Sequence, residues 1–251
     1  MALKRIMPCL LYDGKGLVKT VKFKNPSYIG DPINAIKIFN EKEVDELILI
    51  DINATKEKRR PDITKIADFA GECFMPFAYG GGVKTIDDFY QLYKTGVEKV
   101  IVNSLVFEDP NIIKEAVVKY GSQAVVTCMD YKENFFGKKS VYSYNGKNIK
   151  LTPKEYIKYI EQDLGVGELF LYNVDLEGTW TGFDFDYIKE LVASTTLPVI
   201  ACGGGGKVED LKKVLYESNA NAAAIGSMSV YSKKGMGVLI NFPQRSEVII
   251  E

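Results

Sequence analysis

Two glycine clusters lie half a chain apart in this 251-residue sequence, Gly80-Gly81-Gly82 and Gly203-Gly204-Gly205-Gly206, and their surroundings repeat. Each follows a short apolar run and precedes a lysine, Lys84 or Lys207, and an amphipathic segment. Glu46-Leu47-Ile48-Leu49-Ile50-Asp51 parallels Glu168-Leu169-Phe170-Leu171-Tyr172-Asn173, and Val102-Asn103-Ser104 parallels Ile225-Gly226-Ser227. Asp51 and Asn173 are 122 residues apart, as are Gly81 and Gly203. Matching segments in one order at a near-constant offset mark a duplicated unit, so the fold must have two equivalent halves. A glycine-rich turn leaving a strand also lets backbone N–H groups close on a phosphate. Two such turns predict two phosphate seats, and a phosphorylated small molecule with a phosphate at each end.

Short apolar runs alternate with amphipathic, helix-like segments. Strands are expected near Ile6–Leu11, Leu47–Asp51, Pro76–Ala78, Val100–Asn103, Ala124–Met129, Leu169–Val174, Pro198–Ala201 and Ala222–Ile225. Near-continuous apolar strands are those buried on both faces of a parallel sheet. Asp31-Pro32 and Asp109-Pro110 each place a capping residue before proline at the first helical position, and Thr152-Pro153-Lys154-Glu155 is a capping box. Eight strands with intervening helices fit a (βα)8 TIM barrel. A doubly wound sheet would show the same alternation, but the repeat favours a barrel closed from two half-barrels, roughly 1–121 and 122–251. No linker or low-complexity stretch interrupts the chain, so one barrel domain (1–251) is expected, with an irregular tail from Ser232.

A formal net charge of −1 argues against nucleic acid or an anionic membrane as partner. No apolar run approaches the ~18–20 residues that span a bilayer, and the N-terminal stretch is too interrupted for a signal peptide. A cytoplasmic location is expected. Cys9, Cys73, Cys128 and Cys202 are widely spaced, as reduced core thiols would be, and lack metal-ligand spacing. The chain has no histidine, which removes Ser-His-Asp and Cys-His chemistry. No metal and no cofactor are expected.

In a barrel each glycine-rich loop neighbours the loop after the next strand. Gly81 and Gly82 should therefore work with Asn103 and Ser104, and Gly203, Gly204 and Gly205 with Gly226 and Ser227. Carboxylates at strand ends are candidate acids or bases: Asp130 above all, then Asp51, Asp175 and Glu177. The repeat sets Cys9-Leu10-Leu11 against Cys128-Met129-Asp130, so a symmetric carboxylate pair would need Asp at position 11, where Leu11 stands. Asp13, in Tyr12-Asp13-Gly14, reads as a turn residue. At the opposite strand ends lie Arg5, Glu46, Lys99 and Glu168, which would form either a stabilising salt-bridge ring or a closure across a path through the barrel.

Nearly the whole chain resembles the cyclase subunit of imidazole glycerol phosphate synthase. The resemblance rests on Lys4-Arg5-Ile6, Cys9-Leu10, Val18-Lys19, Gly30-Asp31-Pro32, Asp45-Glu46-Leu47, Leu49-Ile50-Asp51-Ile52, Gly80-Gly81-Gly82, Lys99-Val100, Val102-Asn103, Gly121 to Val126, Asp130, Glu177-Gly178-Thr179, Thr196-Leu197-Pro198 and Gly203-Gly204. It implies a bisphosphate ribotide ligand at the upper face and a class I, HisH-type glutaminase at the lower face. Ammonia would travel through the barrel past a gate of Arg5, Glu46, Lys99 and Glu168. It further implies ligand contacts from Cys9, Lys19, Asp51 and Glu177, and a place for Gly178 among the phosphate-binding residues. Such cyclases use two aspartates; Asp130 matches one, and Leu11 replaces the other. The stretch from Cys9 to Phe23 looks more like a paralogue that accompanies a sugar amidotransferase making acetamidino sugars for lipopolysaccharide. The resemblance therefore implies an ammonia-conducting subunit acting between a glutaminase and a sugar amidotransferase. The alternatives are a working cyclase, with Asp13, Tyr12 or Cys9 replacing the lost aspartate, and a phosphate-binding scaffold that regulates the glutaminase.

Overall fold

The computed structural model describes residues 3–143 and 149–250. Its strands are β1 (Arg5–Tyr12), β2 (Leu17–Val21), β3 (Lys24–Gly30), β4 (Leu47–Asp51), β5 (Phe77–Gly80), β6 (Lys99–Val102), β7 (Val125–Glu133), β8 (Lys139–Val141), β9 (Glu168–Asn173), β10 (Val199–Cys202) and β11 (Ala222–Ile225). Eight of them, β1, β4, β5, β6, β7, β9, β10 and β11, pair in parallel with their neighbours, and β11 returns to β1. The sheet is thus a closed barrel, the (βα)8 architecture expected from the alternation. Around it run α1 (Pro32–Glu41), α2 (Ile63–Glu72), α3 (Ile86–Lys94), α4 (Leu105–Glu108), α5 (Pro110–Tyr120), α6 (Pro153–Tyr159), α7 (Phe185–Val192), α8 (Val208–Lys212), α9 (Ser227–Val230) and α10 (Arg245–Val248). The helix starts follow the caps: Asp31 accepts from Asn34 N before α1, Asp109 from Asn111 N before α5, and Thr152 and Glu155 form a reciprocal box before α6.

The register carries the duplication. Leu11 pairs with Ile50, Ile50 with Gly80, and Gly80 with Ile101. In the other half Asp130 pairs with Tyr172, Tyr172 with Cys202, and Cys202 with Ala224. Position 11 is therefore the structural counterpart of position 130. Two apolar layers result, one between sheet and helices and one inside the barrel, where Met7, Cys9, Ile48, Val126, Cys128 and Cys202 meet. All four cysteines are free thiols.

Three features differ from expectation by more than one residue. The strand expected at Pro76–Ala78 begins at Phe77 and runs on to Gly80, whose backbone pairs on both sides. The strand expected at Ala124–Met129 starts one residue later and continues to Glu133, because Tyr131, Lys132 and Glu133 pair with β8. Finally, β2 and β3 form an antiparallel hairpin where no strand was expected, joined to β1 through Leu11↔Val18 and Tyr12↔Leu17.

Candidate functional site

Both glycine turns sit at the C-terminal ends of the barrel strands, where the strand backbone meets its neighbour at close range. Gly81 has φ +120° and Gly203 φ +100°; a Cβ at either would stand 2.5 Å from the Asp51 carbonyl oxygen or 2.6 Å from that of Asn173. Only glycine fits these equivalent positions. The chain then turns into α3 and α8 through matching contacts. Asp88 accepts from Lys84 N and Thr85 N, and Asp210 from Gly206 N and Lys207 N.

Two cavities open beside the turns. The larger, about 250 Å³, is lined by Gly81, Gly82, Asn103, Ser104, Asp51, Asp130 and Leu11 among others. The smaller, about 20 Å³, is lined by Lys19, Glu177, Gly178, Gly203, Gly204, Gly205, Gly226 and Ser227 among others. The residues grouped in each half by the repeat line one cavity together, and the two groups line separate cavities. Cys9 lines neither; it is fully buried in the layer inside the barrel.

Asp130 is buried at the edge of the larger cavity, with Asn103 Nδ2 donating to its Oδ2 at 2.9 Å and the Cys128 thiol at 3.4 Å from Oδ1. Burial pushes its pKa from 3.8 up to about 6, against the opposing pull of those two donors. It is a carboxyl poised to exchange a proton near neutral pH. Leu11, its counterpart, is buried and presents only hydrocarbon to the same cavity. None of the replacements considered for it reaches the cavity wall. The Tyr12 ring packs outward, edge-on to Phe69 at 5.6 Å; the Asp13 carboxylate accepts from Lys15 N and Gly16 N; Cys9 lies below.

Asp51 lines the larger cavity, but its oxygens are engaged by Asn53 N at 3.1 Å, Ala54 N at 2.9 Å and Arg59 Nη1 at 3.1 Å. Its counterpart Asn173 holds the equivalent turn by accepting from Asp175 N and Leu176 N. This is the geometry of a turn clamp rather than a free base.

The hairpin lies across the barrel mouth, fastened by Glu177. That carboxylate accepts from Lys19 Nζ at 3.3 Å, Thr20 Oγ1 at 3.0 Å and Phe23 N at 3.1 Å, while Lys22 N donates to the Glu177 carbonyl. Lys19 and Glu177 are 3% and 1% exposed, so this is a buried ion pair. The Phe23 ring meets Tyr172 edge-on at 4.9 Å.

At the opposite end, Arg5, Glu46, Lys99 and Glu168 close into a ring in which each cation bridges both anions. Arg5 reaches Glu46 at 2.9 Å and also pairs with Glu168; Lys99 lies 2.9 Å from each glutamate. The glutamates are buried and the cation side chains 20–23% exposed. Glu46 Oε1 has no hydrogen-bond partner among the described residues. Burial, with Glu168 adding to it, holds the Glu46 pKa above its ordinary value against Lys99 and Arg5.

Sequence reasoning did not single out Arg59, Tyr172 or the aromatic role of Phe23. The Arg59 link to Asp51 spans eight residues of irregular loop, which no periodicity reveals. Tyr172 was legible in principle: it faces the mouth by alternation in β9. Among the described residues no cluster of three or more His, Cys, Asp or Glu is disposed to hold a metal ion. No helix among them is long and apolar enough to cross a membrane.

Residues 5–235 match the family model described as "Histidine biosynthesis protein". A Pseudomonas aeruginosa protein named "Putative imidazole glycerol phosphate synthase subunit hisF2" is 46% identical over 97% of each chain. The Vibrio vulnificus protein of the same name with the suffix hisF3 is 43% identical over 98% of this chain and 95% of its own. "Imidazole glycerol phosphate synthase subunit HisF" of Streptococcus mutans is 34% identical over 93% of each.

Proposed function

Since the chain belongs to the histidine biosynthesis protein family, as a HisF-type (βα)8 barrel, we propose that it is the barrel subunit of a glutamine amidotransferase complex. It passes ammonia from a HisH-type glutaminase, docked at the N-terminal strand ends, to the upper mouth. There a partner sugar amidotransferase uses the ammonia to form the acetamidino group of a nucleotide-linked sugar in surface-glycan biosynthesis. One juxtaposition carries this reading: the four-charge ring is complete, while Leu11 stands opposite its structural counterpart Asp130. Cyclisation by a symmetric acid/base pair needs a free carboxyl at position 11 facing Asp130, because Asp51 is held by its turn and Arg59, and a missing partner lowers the rate by ~10²–10⁴-fold.

The chemistry of the barrel suits a neutral passenger. Ammonium entering a layer lined by Met7, Ile48 and Val126 would lose its hydration without compensation, whereas ammonia loses far less. The ring admits it when Arg5 or Lys99 swings off the buried glutamates; these cations are the partly exposed members, on the side where the glutaminase would dock. Asn103, Ser104 and the glycine turns hold a phosphorylated ligand at the mouth, and Asp130 accepts or returns a proton there. The greater identity to the hisF2 and hisF3 proteins than to the S. mutans subunit accords with a separate branch. The test is amidated-sugar formation by the reconstituted complex with glutamine or with ammonium salt. Lys99→Met should alter glutamine-dependent product alone; equal rates in wild type and variant would favour a scaffold.

A second reading, a cyclase of histidine biosynthesis, is favoured by one observation: Asp130 keeps its Asn103 contact and its place beside an intact glycine turn. It requires turnover of the bisphosphate ribotide with Leu11 in place of a carboxyl at the position equivalent to Asp130.

A further inference from the structure

The two phosphate seats do not share a chamber; what separates them is built from buried Tyr172, Lys19, Thr20 and Glu177 and half-buried Phe23. Tyr172 lines both cavities. Against it stand the Phe23 ring, at 4.9 Å and 78°, and behind that the Lys19–Glu177 pair with Thr20. The Lys19 ammonium packs against Gly226 in the wall of the second seat: a Cβ on Gly226 would lie 2.5 Å from Nζ. What remains there, about 20 Å³, has room for little more than a water molecule. The first seat differs. It opens into about 250 Å³ walled by Leu11, Phe23, Ile50, Ile101, Phe170 and Tyr172, with Asp130 and Asn103 on one flank.

We infer that the larger chamber takes a phosphate monoester with an apolar or aromatic body, its phosphate at Gly81, Gly82 and Ser104, rather than one ligand with a phosphate at each end. The body lies along Leu11, Ile50 and Phe170, and a donor group on it faces the Asp130 carboxyl. To span both seats, a bisphosphate must displace Phe23 from Tyr172, part Lys19 from Glu177 and move the ammonium off Gly226. Leu11 then has a positive role, since it completes the apolar wall. Phe23 and Tyr172 are the residues that set specificity, as the partition between the seats. This inference rests on the reading of the first glycine turn as a phosphate seat in the proposed function.

The experiment is titration calorimetry on the full chain with four probes: inorganic phosphate, phenyl phosphate, ribose 5-phosphate and ribulose 1,5-bisphosphate. Phenyl phosphate should bind at least about tenfold tighter than inorganic phosphate, the gain expected from burying one ring. Ribulose 1,5-bisphosphate should bind within about threefold of ribose 5-phosphate. Tyr172→Thr should weaken phenyl phosphate and raise the bisphosphate preference about tenfold; Phe23→Ala, on the hairpin rather than in the barrel, serves if the first variant fails to fold. Ser104→Asp should abolish binding of every probe. A wild-type preference of tenfold or more for the bisphosphate overturns the inference while leaving the seat in place. Absence of binding by any probe at millimolar concentration removes the seat itself, and the inference with it.

Discussion

Replacing Asp130 by asparagine should invert part of the pH dependence of stability. The wild-type carboxyl is buried, with a pKa raised from 3.8 to about 6. At 1.36 kcal/mol per pKa unit, that rise corresponds to about 3 kcal/mol. The folded protein holds this proton more tightly than the unfolded chain does. The contribution is therefore fully present below about pH 4 and lost as pH rises through about 6. Asparagine keeps an acceptor for Asn103 Nδ2 but carries no titratable proton. Between pH 4 and pH 7.5 the variant should consequently gain up to about 3 kcal/mol relative to wild type, a ceiling because the cavity beside Asp130 admits water. For a chain of this size 1 kcal/mol is about 2 °C in Tm, so the two melting curves should move past each other by up to about 6 °C. Urea unfolding of both proteins across that pH range measures it directly. Parallel pH profiles would refute the reasoning, because they would mean that Asp130 titrates alike in folded and unfolded chains.

Three further outcomes are expected. Lys99→Met leaves Glu46 and Glu168 buried with Arg5 as their remaining partner in the ring, and should destabilise by about 3 kcal/mol in urea at pH 8. Because Glu46 is already held above its ordinary pKa and Lys99 opposes that rise, the penalty should grow as pH climbs through the carboxylate range and shrink on acidification. Glu177→Ala unpairs buried Lys19 and frees Thr20 and Phe23 N; amide exchange over residues 17–30 should accelerate at least tenfold while the barrel strands stay protected. Gly203→Ala forces a Cβ to 2.6 Å from the Asn173 carbonyl at φ +100°, and should cost at least about 3 kcal/mol by thermal unfolding.

The barrel and its duplication were legible because both follow from local pattern. Apolar runs gave the eight barrel strands, and the offset between Asp51 and Asn173 foretold a register that pairs Leu11 with Ile50 and Asp130 with Tyr172. The hairpin was not legible, for an identifiable reason. Its tight turn places Lys22 and Phe23 at φ 55° and 59°, a conformation that normally announces itself through Asn-Gly or Asp-Gly. Nor does β2 show hydrophobic alternation, since Leu17, Val18, Lys19 and Thr20 are all buried. Lys19 and Glu177 meet across 158 residues, a contact that no spacing rule contains. Cys9, expected to contact a ligand, alternates to the barrel interior and lines neither cavity. Asp51 was placed at the cavity as expected, but its turn and Arg59 already engage its oxygens.

The most direct test of the central claim is the cyclase reaction itself. The purified chain is supplied with ammonium salt at alkaline pH and the bisphosphate aminoimidazole-ribotide precursor, and imidazole glycerol phosphate is measured by mass spectrometry. A barrel with Leu11 opposite Asp130 should yield no product above the enzyme-free control. Sustained turnover would contradict the account and establish a cyclase that works without a carboxyl at position 11.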